Sequence, residues 1–178
     1  MSVFKVREIE KQDIEPLSNY WLSASPDFLT GMGCDVCKMP TKEDWRKMLT
    51  EQINTELEKK KSYCLIWEYD DKKVGHSNVN KIIFGKEAYM HLHLWIPDTR
   101  AKGFGTDYAK ESIPVFFNNL QLQKLYCEPF AENSAPNKTL AKLGFTFVKE
   151  YETVPGTINL LQKVNLWEIT KQEVDKWQ

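Results

Sequence analysis

The sequence lacks any long apolar stretch. No segment approaches the roughly 18 consecutive apolar residues that a membrane-spanning helix needs. The first residues, MSVFKVREIEKQDIEPL, are charged and alternating, whereas a secretory signal peptide has a continuous apolar segment there. We therefore expect no membrane association and a cytoplasmic location.

An excess of charge of either sign is also missing. The 24 basic and 25 acidic side chains nearly cancel, and the sequence pI is about 6.3. A protein that binds nucleic acid usually carries a basic surface whose field attracts the phosphates. The composition therefore argues against a nucleic-acid partner and leaves a nucleotide-like small molecule open.

Cysteine is scarce, with Cys34, Cys37, Cys64 and Cys127 the four in 178 residues. Four are too few to cross-link a domain of this size, which favours a reducing compartment. Cys34 and Cys37 form a C-x-x-C pair, a spacing found in redox pairs and in half of some zinc sites. No second pair of cysteines or histidines has matching spacing, so we predict ordinary thiols and no metal.

The sequence does contain enough apolar material for one core. Hydrophobic residues make up 42% of the chain and aromatic residues 12%, and 178 residues are too few for two comfortable cores. No repeat, low-complexity tract or linker interrupts the chain. We therefore expect one domain spanning residues 1–178.

Hydrophobic periodicity predicts the element order β, α, α, β, β, β, α, β, α, β, β. Residues 25–40 show no sustained period and are predicted to form a loop. The strands are predicted over 3–9, 62–69, 73–84, 87–97, 124–130, 145–151 and 157–169, and the helices over 11–24, 41–61, 103–120 and 133–144.

This order predicts a mixed sheet in an α/β (α+β) fold. The three strands between residues 62 and 97 are joined by tight turns, which is typical of an antiparallel meander. Two later strand-helix-strand passages, through the helices 103–120 and 133–144, predict parallel neighbours with right-handed crossovers.

A glycine turn, RAKGFGTD at residues 100–107, lies where a strand passes into a helix. A helix N-terminus presents free backbone N–H groups, and glycines let the backbone approach a bulky anion, so the turn suits a phosphate. The dinucleotide fingerprint G-x-G-x-x-G is not met, because its third glycine would fall on Tyr108. From the glycines alone, a plain tight turn is an equally good interpretation.

Two segments together resemble the GNAT N-acetyltransferases. LWIPDTRAKGFGTDYAKESI is similar to their acetyl-CoA signature, [QR]-x-x-G-x-[GA], which Arg100, Gly103 and Gly105 meet. PFAENSAPNKTLAKLGFTFV resembles their second segment, an Asn-initiated helix that ends in Leu-Gly-Phe, and is most similar to the branch that acetylates ribosomal-protein N-termini. The resemblance implies a mixed, mostly antiparallel central sheet flanked by helices.

The resemblance also implies acetyl-CoA as cofactor and suggests which residues bind it. The CoA pyrophosphate would lie on the backbone amides of the glycine turn, and the pantetheine arm along the end of the preceding strand. Asn133 would bind the arm by hydrogen bonds, although an Asn there is also a good helix cap, and Lys138 could equally be a surface charge. The implied residues are Trp95, Ile96, Arg100, Ala101, Lys102, Gly103, Phe104, Gly105, Thr106, Asn133, Asn137 and Lys138.

Two histidines are candidates for the general base that acetyl transfer to an amine requires. His91 and His93 alternate along one strand and share a face, and an imidazole titrates near neutral pH. The alternative is that they pack or form structural hydrogen bonds. His76 and Glu87 are weaker candidates.

The general acid departs from the family pattern. Many GNAT enzymes have a Tyr four residues before the Gly of Leu-Gly-Phe, and Leu140 stands there in this sequence. Leucine cannot donate a proton, so another donor or water is expected, and Tyr126 and Tyr89 are the candidate donors. The ribosomal-type branch commonly lacks that Tyr too.

The sequence predicts an acetyl-CoA-dependent N-acetyltransferase acting on a primary amine of a small molecule, a peptide or a protein N-terminus. Residues 25–40 are expected to line the acceptor side, where Asp27 and Asp35 suit a cationic amine or are simply solvated, and Phe28 and Met32 are apolar. The alternative is a non-catalytic acyl-CoA-binding module of the same fold. A redox or zinc protein is a more distant reading, and the chain is expected to be a monomer or a homodimer.

Overall fold

The computed structural model describes residues 4–96 and 103–177. Within these ranges seven strands form one sheet, in the order β1-β2-β3-β4-β5-β7-β6. The strands are β1 Phe4–Glu8, β2 Tyr63–Tyr69, β3 Lys72–Ile83, β4 Glu87–Leu94, β5 Lys124–Cys127, β6 Thr146–Thr153 and β7 Gln162–Thr170. The helices are α1 Ile14–Leu22, α2 Pro26–Gly31, α3 Lys42–Asn54, α4 Phe104–Asn119, α5 Ser134–Lys142 and α6 Lys171–Val174, with short 3-10 turns at Lys11–Asp13, Val36–Lys38, Leu57–Lys59 and Asp175–Trp177.

The predicted mixed, mostly antiparallel sheet is confirmed. Strands β1 to β4 form an antiparallel meander, and β4 pairs in parallel with β5. The second predicted parallel pair, between β5 and β6, is wrong, because β7 lies between them and is antiparallel to both. Burial explains this order. Val164 and Ile169 of β7 are fully buried, as residues of an inner strand are, whereas Phe147 of the edge strand β6 is half exposed.

The prediction of a loop over residues 25–40 is also wrong, because α2 lies within it. Ser25 caps this helix, its Oγ accepting a hydrogen bond from the Phe28 backbone N–H at 3.2 Å, and Pro26 occupies the first helical position. The helix has only six residues, too few for a hydrophobic period to be visible. Its boundary residues were therefore the only local signal.

Helices cover both faces of the sheet. α4 and α5 pack on one face over a core that includes Leu65, Met90 and Leu125. α1, α2 and α3 pack on the other, around Trp21 and Trp45. None of the helices in the described ranges is long and apolar enough to cross a membrane.

Candidate active site

The parallel strands β4 and β5 separate partway along their length. They are paired from Glu87 opposite Lys124 to Tyr89 opposite Tyr126. Beyond that point β4 continues to Leu94 beside β3, whereas β5 ends at Cys127. The carboxyl ends of parallel strands are common ligand sites in α/β folds, and here the separation opens one edge of β4.

A cavity of about 760 Å³ begins where the two strands separate. On one side it is lined by residues of β5 and α5, including Cys127 and Leu140, and on the other by residues of α1 and α3, including Trp21 and Trp45. The β3 and β4 side chains that face α1 form its floor. The cavity therefore connects the edge of β4 with the acceptor side of the sheet.

The described part of the glycine turn, residues 103–107, lies at the start of α4, where a Cβ at Gly105 would be 3.4 Å from Leu94 Cδ1 at the end of β4. Gly103 is the N-cap residue and has a left-handed backbone, with φ of +87°. A Cβ at Gly103 would meet no atom of the described residues within 4 Å, so glycine is required there by conformation and the space beside it is open. The Thr106 N–H already donates to the Gly103 carbonyl at 2.9 Å, which leaves the N–H groups of Gly103, Phe104 and Gly105 as donors to a ligand.

Of the other predicted residues of the turn, the structure describes Phe104, Gly105 and Thr106. Arg100, Ala101 and Lys102 lie outside the described residues. The Phe104 ring packs against Phe4 and Tyr69. Phe104 and Gly105 could therefore contact a ligand through their backbone.

The end of β4 is held by β3. The Trp95 N–H donates to the Val74 carbonyl at 2.8 Å, and the Trp95 indole Nε1 donates to His76 Nδ1 at 2.7 Å. Ile96 packs at the edge of a small core around Trp67 and Tyr108. A cofactor arm beside Trp95 and Ile96 would therefore lie against a rigid strand.

Helix α5 places its three candidate residues differently. Asn133 occupies the N-cap position but makes no side-chain capping bond, and it lines the cavity. The Asn137 amide donates to the Phe130 and Asn133 carbonyls and accepts from Asn165 and Trp167. The Asn133 side chain can therefore hydrogen-bond to a ligand, whereas the Asn137 side chain stabilises the loop that precedes α5. Lys138 is exposed on the helix surface.

Three histidines line the floor of the cavity. His76 of β3 lies opposite His93 of β4, and their rings stack with centroids 4.6 Å apart. The Trp21 ring contacts the His93 ring edge-on at 4.7 Å. His91 lies opposite Asn78, two pairs further along and on the same face. His76 and His93 are thus part of an aromatic cluster, as the packing alternative predicted, while still facing the cavity.

Burial holds these histidines in the neutral form. It lowers the pKa of His76 to about 3 and that of His91 to about 4, and it lowers the pKa of His93 well below its usual value. His91 Nε2 and His93 Nδ1 are buried and have no hydrogen-bond partner among the described residues. A positively charged imidazole would bury an unpaired N–H, which is costly.

A buried carboxylate, Glu128, lies directly after β5 and lines the cavity. Its side chain is 2% exposed, and Lys81 Nζ lies 2.9 Å from Oε2. The Tyr151 hydroxyl of β6 donates to Oε1. Sequence reasoning placed Glu128 inside a strand and missed it. Its position at the carboxyl end of a parallel strand was the available signal.

The acceptor side is closed by two segments joined to each other. The Asp35 N–H donates to the Ile158 carbonyl at 2.7 Å, and the Leu160 N–H donates to the Gly33 carbonyl at 3.2 Å. Met32 and Ile158 both line the cavity. The residues between β6 and β7, which were predicted to begin a strand, therefore form part of the cavity wall.

The acidic residues of the 25–40 segment do not line the cavity. Asp27 is exposed in α2. Asp35 accepts a hydrogen bond from the Cys37 N–H at 3.0 Å and lies 3.6 Å from Lys38 Nζ. The solvated alternative therefore fits Asp27, and Asp35 has a local capping role.

Residues 4–146 match the family model described as an acetyltransferase (GNAT) domain. The chain belongs to this family. Its GNAT fold is also found in solved structures of low sequence identity, and no curated protein sequence matches the chain. The sequence resemblance is thus confirmed at the level of the family.

Three structural neighbours with different acceptors share this GNAT fold. RimL, a ribosomal L7/L12 α-N-protein acetyltransferase in complex with coenzyme A, has a TM-score of 0.77 at 14% identity, covering 94% of this chain and 93% of its own. A variant of spermidine N-acetyltransferase SpeG from Vibrio cholerae has a TM-score of 0.76 at 14% identity, covering 98% of each chain. Aminoglycoside acetyltransferase AAC(6')-Ib, in complex with coenzyme A and kanamycin, has a TM-score of 0.76 at 13% identity, covering 98% of each chain. RimL agrees with the predicted likeness to the ribosomal-protein branch.

The two tyrosines considered as proton donors do not line the GNAT cavity. Tyr126 and Tyr89 stack on each other at 5.1 Å, at the last pair before β4 and β5 separate, and neither lines the cavity. Leu140 does line it and is 2% exposed. Glu87 begins β4, at the end away from the opening. The position of Tyr126 therefore gives no support to its predicted role as the acid.

The C-x-x-C pair is split between two environments. Cys34 is buried at the cavity wall and Cys37 is exposed, and both are free thiols. Burial raises the pKa of Cys34 to about 11. In the described ranges no group of three or more His, Cys, Asp or Glu side chains could hold a metal ion.

Proposed function

We propose that this GNAT-family chain is an acetyl-CoA-dependent N-acetyltransferase that transfers an acetyl group to a primary amine. The observation that carries the proposal is the opening between β4 and β5, because it joins two kinds of surface in one cavity. One surface is the part of β4 beyond its last pair with β5, together with Asn133, and the start of α4 at Gly105 lies close to Leu94 at the end of that strand. The other holds the neutral histidines and Glu128.

The residues present fit acetyl-CoA as the cofactor. The left-handed Gly103 begins a 16-residue helix with open space beside it, as a phosphate site at a helix N-terminus requires. Beyond Tyr89 β5 no longer pairs with β4, so an extended arm can lie along this side of the strand, and the Asn133 amide, which makes no capping bond, can hydrogen-bond to it. Acetyl-CoA supplies the acyl group as a reactive thioester.

Direct attack by the amine, without an acyl-enzyme, is supported by the thiols of the cavity. Cys34, Cys64 and Cys127 all line it, and burial raises the pKa of each. They therefore stay protonated at neutral pH, whereas a thiolate is the nucleophilic form of cysteine. The chain then has to position the amine and accept its proton.

Three groups in the cavity can accept that proton: His91, His93 and Glu128. Both histidines are neutral at pH 7 and so keep a free nitrogen lone pair. The amine nitrogen gains positive charge as it bonds to the acyl carbon, and its proton becomes far more acidic. A base of low pKa therefore suffices at that moment.

The role of the base is tested with His91→Gln, His93→Gln and Glu128→Gln, each close in size to the residue it replaces. Loss of a general base is expected to lower kcat by about a hundredfold or more with CoA affinity unchanged. A residue that only packs would change stability and leave kcat of the folded protein intact. Wild-type kcat in all three variants would contradict the assignment to this cavity.

A second function, a non-catalytic acyl-CoA-binding module, is favoured by Leu140 alone. This residue offers no proton where many relatives have Tyr, although water can serve instead. A thiol-release assay with acetyl-CoA over a panel of primary amines separates the two functions. The enzyme releases CoA thiol only when an acceptor is present, whereas the binding module binds CoA and releases none with any amine.

A further inference from the structure

We infer that the acceptor is a primary monoamine on an uncharged, apolar body, held with its nitrogen near Glu128. This inference rests on the proposed N-acetyltransferase function and names the acceptor class. The fold does not decide the class, because neighbours of similar fold are named for a ribosomal protein, for spermidine and for an aminoglycoside.

The first argument is the charge of the cavity. Among the described residues that line it, Glu128 is the one carboxylate and Lys81 the one ammonium group. The two are paired at 2.9 Å, so they nearly cancel. The three histidines add no charge, because burial lowers the pKa of each.

A polycationic acceptor would therefore find no second carboxylate among the described residues that line the cavity. An ammonium group taken out of water needs a carboxylate or several hydrogen-bond acceptors, and otherwise its desolvation is uncompensated. Glu128 already accepts from Lys81 at Oε2 and from Tyr151 at Oε1, and the remaining lone pairs of its two oxygens leave room for one further ammonium group. The acidic residues of the 25–40 segment, Asp27 and Asp35, lie off the cavity lining.

The second argument is the apolar wall that faces this single charged pair. Trp21 of α1 and Trp45 of α3 stack with their ring centroids 5.9 Å apart. Leu17, Met48 and Ile158 line the cavity around them. Pockets of this kind bind through apolar contact and use a few polar groups for orientation. The wall therefore suits an acceptor whose amine is attached to an aliphatic or aromatic group.

An acceptor carrying a carboxylate next to its amine is disfavoured by the same geometry. A carboxylate held beside Glu128 would meet a like charge in a poorly solvated site. Lys81 could offset this only by leaving its present ion pair. The free amino acid is therefore expected to be a poorer acceptor than the amine that lacks the carboxylate.

The test compares kcat/KM of the wild-type protein for four amines with acetyl-CoA: 2-phenylethylamine, the neutral peptide Phe-Ala-amide, L-phenylalanine and spermidine. The expected result is that one of the first two exceeds spermidine and L-phenylalanine by at least about tenfold, as one unpaired buried charge implies. The ratio of the first two distinguishes a small-molecule acceptor from a peptide N-terminus. A preference for spermidine or L-phenylalanine would overturn the inference and leave the acetyltransferase function intact, whereas no turnover with any amine would overturn both.

A variant pair tests the charge argument without touching the proposed catalytic groups. Met48 lines the cavity and is 46% exposed, so a charged side chain is tolerated there. Met48→Glu is expected to raise kcat/KM for spermidine by about two- to fivefold, the size of an exposed ion pair. Met48→Gln, of the same shape without the charge, reports any effect of the lost apolar contact, so the rise is measured for Met48→Glu relative to Met48→Gln. Equal effects of the two variants would contradict the charge argument.

Discussion

The buried histidines predict a loss of stability in acid that a single substitution should reduce. Burial lowers the pKa of His91 to about 4, whereas an unfolded chain has a His pKa of about 6.5. Because the folded-state pKa is the lower one, stability is fully present above pH about 6.5 and is lost as the pH falls toward 4. Between pH 8 and pH 5 this one group lowers the free energy of unfolding by about 2 kcal/mol.

His91→Gln removes that proton uptake and keeps a polar side chain of similar size. Urea unfolding of the wild type and the variant, followed by tryptophan fluorescence at pH 8 and pH 5, gives the change for each protein. The carboxylates change the free energy of unfolding between the two pH values by the same amount in both proteins, so their contribution cancels in the difference between wild type and variant. The wild type should lose about 2 kcal/mol more than His91→Gln between the two pH values. An equal loss in both would refute the claim that His91 is held neutral by burial.

Three further predictions concern the cofactor turn, the thiols and the tyrosine. Gly103→Val should weaken CoA binding at least about tenfold, because a β-branched side chain strains a left-handed backbone and displaces the turn. The control is Gly85→Val, at a second left-handed glycine with open space (φ +76°), which should carry the same strain and leave the CoA dissociation constant unchanged. Equal CoA affinity in both folded variants would remove the turn from the site. Serine at Cys34 and Cys37 together should keep acetyl-CoA turnover nearly intact, and stoichiometric metal in the wild-type protein by elemental analysis would contradict the thiol assignment. Tyr126→Phe should leave kcat unchanged because the ring lies off the cavity lining, and a drop of about a hundredfold would restore the tyrosine as proton donor.

Local signals in the sequence were sufficient for most of the elements. Helix α3, predicted over 41–61, begins with a capping box in which the Asp44 N–H donates to Thr41 Oγ1 at 3.2 Å. Gly103 is the N-cap of α4, as the glycine turn predicted. Signals of this kind depend on residues a few positions apart.

What the sequence could not predict depends on contacts between distant residues. The place of β7 between β5 and β6 follows from burial in the finished sheet. Glu128 gains its partners from Lys81 and Tyr151, 47 and 23 residues away. The lowered pKa of each cavity histidine likewise requires the helices that cover the sheet, so periodicity along β4 indicated a shared face but not its burial.

The most direct test of the proposed transfer measures two products of one reaction. Wild-type protein is incubated with acetyl-CoA and 2-phenylethylamine, and free CoA thiol and acetylated amine are quantified together. Direct attack in the cavity predicts one acetylated amine for each thiol released, with no acetyl group left on the protein by intact mass spectrometry. CoA thiol release without acetylated amine, or a protein that keeps the acetyl group when amine is withheld, would contradict direct transfer to an amine.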